Sequence, residues 1–182
     1  MSRLIFKNFI KTNPIERELI LSWRNSDRIR SKMETSEIIS MDRHLNFICG
    51  LSSRKDCVYW LVILDTTPIA VTYDTEIDMK QKTCSGGMYI GDRRFVGYGV
   101  PILYFSYLNY FENMMMKENV FKVLKTNKRV YVFHKNIFHA RDKYETHDAW
   151  FLYHNMSTFL EMKHDLEPRI KSIYNVGVMR EW

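Results

Sequence analysis

Arg93 and Arg94 stand just before a short run with glycine at alternate positions, Gly97 and Gly99, and a strongly apolar segment with Pro101 near its start follows. These residue types suit one kind of chemistry. Glycine lets backbone N–H groups approach a ligand with no Cβ in the way. A helix starting directly afterwards adds unpaired N–H groups and the positive end of its dipole. Together they make an anion site of the sort that holds a pyrophosphate, and adjacent arginines add charge-assisted hydrogen bonds to phosphate oxygens. The run is not a P-loop, because no Gly-Lys-Ser/Thr follows, and it lacks the third glycine of a dinucleotide fingerprint. Taken alone, two glycines also fit a turn that ends a strand.

Such a loop needs a strand before it and a helix after it, and the chain supplies both. Residues 3–10 alternate as a first strand. NPIERELILSWRN has proline at an early helical position and apolar residues at helical spacing. SDRIRSKM and SMDRHLNFICGL read as two more helical stretches, the second capped by Ser40 or Asp42. CVYWLVIL is a continuous apolar run, the mark of a strand buried on both faces. DTTP turns the chain, IAVTYDTEI runs back, and TCSGGMYI is a third strand loosened by Gly86 and Gly87.

After the loop, a buried helix is expected from about Val100 to Met116, then VFKVLKT as a strand and NKRVYVFHKNIF as a short amphipathic helix. Strands around 138–146 and 149–155 and a helix near 165–174 complete the chain. The expected division is a domain over 1–160 and a C-terminal extension over 161–182, packed on it or trailing from it.

Arg94-Phe95-Val96-Gly97-Tyr98-Gly99 resembles the Q/R-x-x-G-x-G/A acetyl-CoA signature of the GCN5-related N-acetyltransferases (GNATs), and the order of elements around it is similar. The resemblance, over about residues 3–155, implies an α/β fold. Its mixed, mostly antiparallel central sheet would be flanked by helices and splayed at the acetyl-CoA site. It implies cofactor contacts for Arg93, Arg94, Phe95, Val96, Gly97, Tyr98 and Gly99, and for the strand residues Met88, Tyr89 and Ile90, whose N–H groups would polarise the thioester.

TNKRVYVFHKNIF resembles the family's later motif. Asn127 takes the place of the asparagine that contacts the pantetheine arm, and His134 that of the tyrosine that protonates the departing thiolate. An imidazolium is a competent acid near neutral pH; a hydrogen-bonded core histidine is the other reading. Ile137-Phe138 replaces the Gly-Phe that usually closes the motif. LSWRN with the later HLNFI is similar to the W/F-R-N…H-x-x-F pattern of acetyltransferases acting on amino-deoxysugar nucleotides, those of pseudaminic acid biosynthesis among them. That similarity implies an acceptor site lined by Arg24, Met33 and Phe47.

The implied function is transfer of an acetyl group from acetyl-CoA to the amine of a nucleotide-linked amino sugar, by direct attack and without a metal. A protein N-terminus or a polyamine as acceptor, or a non-catalytic acyl-CoA-binding domain, are the alternatives. Tyr73 is a candidate to relay a proton through water. Asp74, Glu76 and Asp78 alternate along one strand, as a general base, as an acidic polyamine pocket or as an exposed hairpin face. Tyr89 fits either the groove or a sheet core.

Composition narrows the rest. The 182 residues are 46% apolar and 14% aromatic, which excludes wholesale disorder. The net charge of +6 is spread without a basic run, so neither nucleic acid nor a membrane is expected as partner, and a homodimer is left open. Cys49, Cys57 and Cys84 are far apart and odd in number, giving no disulfide framework. With no signal-peptide pattern and no apolar run near the ~20 residues that span a bilayer, a cytoplasmic location is expected.

Overall fold

The computed structural model describes residues 2–173 and 179–181. Strand β1 (Leu4–Asn8) is followed by a single 3-10 turn, and Asn13 then starts helix α1 (Pro14–Asn25). The Asn13 side chain accepts from Glu16 N at 2.9 Å, while the Glu16 carboxylate accepts from Asn13 N at 2.8 Å. This reciprocal cap, with Pro14 where no N–H is needed, is why the helix begins there. Short α2 (Asp27–Arg30) and α3 (Met41–Leu51) follow, and of the two possible caps for α3 it is Ser40 whose hydroxyl accepts from Arg43 N.

Next come β2 (Val58–Leu64), β3 (Thr67–Asp78) and β4 (Thr83–Ile90), an antiparallel meander. A 3-10 segment over Arg93–Tyr98 leads into α4 (Gly99–Leu108). Then β5 (Glu118–Leu124), α5 (Lys128–Phe138), β6 (Arg141–Glu145), β7 (Ala149–Asn155), α6 (Met156–Ile173) and a short β8 (Met179–Glu181) complete the described chain. All strands join one sheet in the order β6-β7-β5-β4-β3-β2-β1-β8, mostly antiparallel. Helices α1–α3 cover one face, packing Ile20 and Ile48 on Leu61 and Val71. Helices α4–α6 cover the other, with Tyr104, Phe111, Phe138, Phe159 and Met162 at its centre. Trp60, Leu61 and Val62 are each fully buried, as a strand covered on both faces requires.

Three sequence expectations need correction. The helix expected to reach Met116 ends at Leu108 and closes in a π-turn over Asn109–Asn113. The wider turn carries Tyr107, Tyr110 and Phe111 all inward, a change of period that continuous apolarity conceals. The strand expected over 138–146 is shorter, β6 covering only Arg141–Glu145, whereas β7 covers the expected 149–155. The C-terminal helix begins at Met156 rather than near 165, because Asn155 and Thr158 cap it, Thr158 N donating to Asn155 Oδ1 at 3.2 Å. Phe159, Met162, Leu166 and Ile170 recur at helical spacing and are buried, so residue 160 lies inside a core helix and the chain beyond it packs on the domain through 173. Residues 174–178 and 182 of the expected extension lie outside the described residues.

One irregularity creates the site. β4 and β5 run parallel and pair only at Thr83↔Glu118 and Cys84↔Asn119; beyond these pairs they part.

Candidate active site

The Arg93–Tyr98 loop follows directly on β4, the strand that borders that gap. Phe95 and Tyr98 meet edge to face, their rings 5.6 Å apart, and pack on the cluster around Ile69 and Ile102, which anchors the loop through its side chains. Its backbone is left outward. No side chain caps α4, and Pro101 in its first turn lacks an N–H that no helical carbonyl could have received. A Cβ built on Gly97 or on Gly99 meets nothing within 4 Å, and neither residue has a positive φ. Packing and backbone conformation therefore do not require glycine at either position. Both glycines leave the loop's backbone open, an arrangement that a pyrophosphate at an uncapped helix start fits. Of the two arginines, Arg93 is exposed, whereas Arg94 is held by Asp92, Nη2 to Oδ2 at 2.6 Å. Arg94 thus reaches a phosphate only by leaving Asp92, and Arg93 is the readier cation. Arg28, which sequence reasoning overlooked, holds the end of β4: its Nη2 donates to Ile90 O at 2.8 Å and Gly91 O at 2.6 Å.

Past Cys84 the outer edge of β4 has no paired strand, so backbone groups of Gly86–Ile90 line the gap. The two glycines of this strand have a reason that differs from the irregular backbone expected of them. Both pair in register with β3, Gly86 with Asp74 and Gly87 with Tyr73. A Cβ at Gly86 would lie 2.4 Å from the Tyr110 hydroxyl, and one at Gly87 would lie 2.4 Å from the Tyr73 ring. The glycines admit a tyrosine over β4 from each face. Tyr110 uses the room to donate to Asp74, which also lies 3.4 Å from Trp60 Nε1. Asp74 is thus buried, at 2% exposure, while Glu76 and Asp78 are exposed. The three acids do not form one face.

On the side of α1–α3, half-buried rings cluster against β3 and β4. Tyr59 stacks on Tyr73 at 5.4 Å and receives Phe47 edge-on at 5.0 Å, with Trp23 and Tyr89 in the same cluster. Burial pushes the Tyr73 and Tyr89 hydroxyls upward and that of Tyr59 to about 12, so all three remain protonated near neutrality. Trp23 is a packing residue: its ring occupies the place where a Cβ on Gly91 would fall. The next two residues hold the crossing segment 31–40. Asn25 pairs with Ile39 through both its amide atoms, at 2.8 and 2.9 Å. Arg24 Nη2 donates to Thr35 O at 2.7 Å and to Thr35 Oγ1 at 3.1 Å. Its Nη1 is buried without a partner, and its charge is felt at both Tyr73 and Tyr89. A buried guanidinium nitrogen left in this state is a donor waiting for an acceptor. Met33, half-buried, lies on the segment so held.

No protein-family model matches the chain. Among curated proteins, the acetyltransferase PseH of Campylobacter jejuni (strain 81-176) is 32% identical over 124 residues, which is 68% of this chain and 76% of that one. The chain is a GNAT acetyltransferase. The crystal structure of C. jejuni PseH in complex with acetyl coenzyme A matches with TM-score 0.69 at 24% identity, covering 84% of this GNAT and 99% of PseH. FdhC, described as a nucleotide-linked sugar GNAT, matches at 0.75 with 19% identity over 91% of this chain and 93% of that chain. Spermidine N-acetyltransferase from Vibrio cholerae, solved with CoA and spermine, matches at 0.71 with 15% identity over 87% and 98%. The expected mixed sheet, splayed where the cofactor enters, is the fold found, and acetyl-CoA is the co-substrate of this GNAT.

The later GNAT motif lies below the gap. Asn127 precedes α5 and its side chain makes no cap bond, which leaves the amide for another partner. His134 departs from its expected form. It is buried among Phe121, Phe133 and Phe138, with Nδ1 3.5 Å from the Tyr107 hydroxyl. Burial drives its pKa down to about 3, so an imidazolium is not present at neutral pH. His154, fully buried and with its Nε2 unpartnered, lies beside it, its ring 4.4 Å from that of Tyr107, and is likewise driven to about 3.

Proposed function

We propose that this GNAT acetylates the amine of an amino-deoxysugar carried on a nucleotide. The buried, unpartnered Nη1 of Arg24 carries the reading: it is a cationic donor whose charge is felt at Tyr73 and Tyr89, in the ring cluster that also holds Tyr59 and Phe47. An anionic group next to a sugar or base ring suits such a cluster, and a polyamine offers the guanidinium nothing to pair with. The acidic pocket that a polyamine needs is not available from Asp74, which Tyr110 and Trp60 already hold. The kinship with PseH and the likeness to FdhC point the same way.

In this reading the N–H groups at the α4 start and the open face at Gly97 and Gly99 hold the pyrophosphate, with Arg93 nearest in charge. Asn127 receives the pantetheine arm. The free edge of β4 around Met88, Tyr89 and Ile90 supplies N–H donors where the thioester carbonyl gains charge, a term that fixed dipoles make large. Arg24, Met33 and Phe47 receive the acceptor, and the Tyr73 hydroxyl relays a proton to water. His134 works as a neutral imidazole: Nδ1 accepts from Tyr107, which leaves Nε2–H to donate to the sulfur as the thiolate leaves.

Release of CoA from acetyl-CoA, followed across UDP- and TDP-linked amino-deoxyhexoses, free amino sugars and spermidine, tests the acceptor. Turnover is expected with the nucleotide-linked sugars; faster turnover of spermidine would overturn the reading. For His134, the alanine variant is expected to lose about tenfold in kcat, the size of one hydrogen bond to a charged group, with acetyl-CoA affinity kept. Wild-type kcat in His134→Ala removes the residue from the mechanism.

A further inference from the structure

Glu34 and Lys122 meet on the α1–α3 side of the gap, Lys122 Nζ donating to Glu34 Oε1 at 2.9 Å. Counted on from the last β4–β5 pair, Cys84↔Asn119, Lys122 stands level with Gly87, the residue under the Tyr73 ring. Residues Asn119, Phe121 and Val123 of β5 are buried, and Lys122 between them projects to the opposite face of the sheet. Glu34 sits between Met33 and Thr35, and Arg24 holds Thr35 by its carbonyl and hydroxyl, which fixes the backbone that presents the carboxylate. The charges of Glu34 and Arg24 are both felt at the Tyr73 hydroxyl, with opposite effect. A carboxylate already bonded to one primary ammonium, on the segment that Arg24 holds and opposite the unpaired stretch of β4, has the chemistry to take another.

We propose that Glu34 is the positioning residue for the acceptor's amine, and that the Lys122 ammonium holds that place until an acceptor arrives. This rests on the amine-acceptor reading above. The exchange is of like for like: an incoming R–NH3+ replaces Lys122 on the carboxylate, and Lys122, whose side chain is 31% exposed, turns to solvent. The bound ammonium then gives one proton to water and Glu34 stays ionised; the neutral amine attacks the thioester carbon, the C–S bond breaks, the amine's second proton is lost to water, and the CoA thiolate leaves and is protonated to the thiol.

Glu34→Gln keeps the shape and removes the charge. Using a UDP-linked amino-deoxyhexose as acceptor, its KM at pH 7 is expected to rise about tenfold, with kcat and the acetyl-CoA KM within about twofold of wild type. Glu34→Asp recovers part of the loss. Lys122→Met removes the resident ammonium and lowers the acceptor KM. Above the pKa of the acceptor's amine the difference between wild type and Glu34→Gln closes, because a neutral amine has no charge to pair. A wild-type acceptor KM in Glu34→Gln overturns the proposal, as does a difference that persists at high pH. A raised acceptor KM in Lys122→Met overturns it too, since Lys122 would then be the binding group. A wild type that acetylates no amine removes both readings, whereas a wild type that acetylates with Glu34→Gln indistinguishable from it removes this one alone.

Discussion

Gly97→Val is expected to raise the apparent acetyl-CoA constant about 10²-fold, equivalent to about 2.7 kcal/mol, while the melting temperature stays that of the wild type. Two observations separate these effects. The Cβ position of Gly97 is empty space and its φ is not in the left-handed region, so the folded chain takes the valine without a clash or backbone strain. The same space is where phosphate oxygens must come within hydrogen-bond distance of the loop's N–H groups, and a branched side chain holds them off by more than such a bond tolerates. Phe95 and Tyr98 continue to anchor the loop from beneath, so its shape survives. Isothermal titration with acetyl-CoA and a melting curve on the same sample decide the matter. Wild-type affinity in a folded variant would show that the pyrophosphate lies elsewhere; a large drop in melting temperature would show that the glycine serves the fold.

That loop is the part of the site most legible from sequence. Gly97 and Gly99 meet no distant packing, so in the proposed reading their meaning is local and stands in the one-dimensional pattern. Gly86 and Gly87 are conspicuous in the sequence for the wrong reason. What they accommodate is Tyr110 and Tyr73, and only the sheet register and the π-turn bring those rings over β4. The alternation of Asp74, Glu76 and Asp78 is real, but burial differs along it, with Asp74 under Tyr110. Tertiary packing overrides the reading of a polar strand face. Glu34 and Lys122, 88 residues apart, carry no spacing signal at all. Arg24 and Asn25 stand in a quotable motif, yet what they hold, the segment from Thr35 to Ile39, shows only in three dimensions. Helix α6 is hidden by a polar composition, though its apolar residues keep a clear helical period once the Asn155 and Thr158 cap is recognised.

His134 is where burial changes the chemistry most, and it sets the second large effect: stability is expected to fall steeply between pH 6.5 and pH 5. His134 and His154 both have folded pKa values of about 3 against an ordinary 6.5, in each case because burial opposes the charged ring. The direction follows from proton counting. Between pH 6.5 and pH 3 the unfolded chain binds protons on these rings that the folded chain does not, so acid favours unfolding. Their contribution is complete above pH 6.5 and is lost as the pH falls toward 3. At pH 5 each ring costs on the order of 2 kcal/mol, and the pair lowers the folding equilibrium constant roughly 10³-fold. The acidic groups with lowered pKa values, Asp56, Asp92, Asp142, Asp148, Asp165 and Glu167, titrate below this window and do not mask it. His44 is also held low by burial and adds in the same direction. Urea unfolding at pH 7.5, 6.0 and 5.0 measures the slope, and His134→Phe, which keeps a ring against Phe121 and Phe138, should remove about half of the pair's contribution. A stability that is flat from pH 7.5 to 5.0 would mean that these rings reach water and can charge in place. His134 could then act as an imidazolium after all, and kcat would titrate with it; with both rings neutral, as the packing requires, kcat shows no step from His134 across the same range.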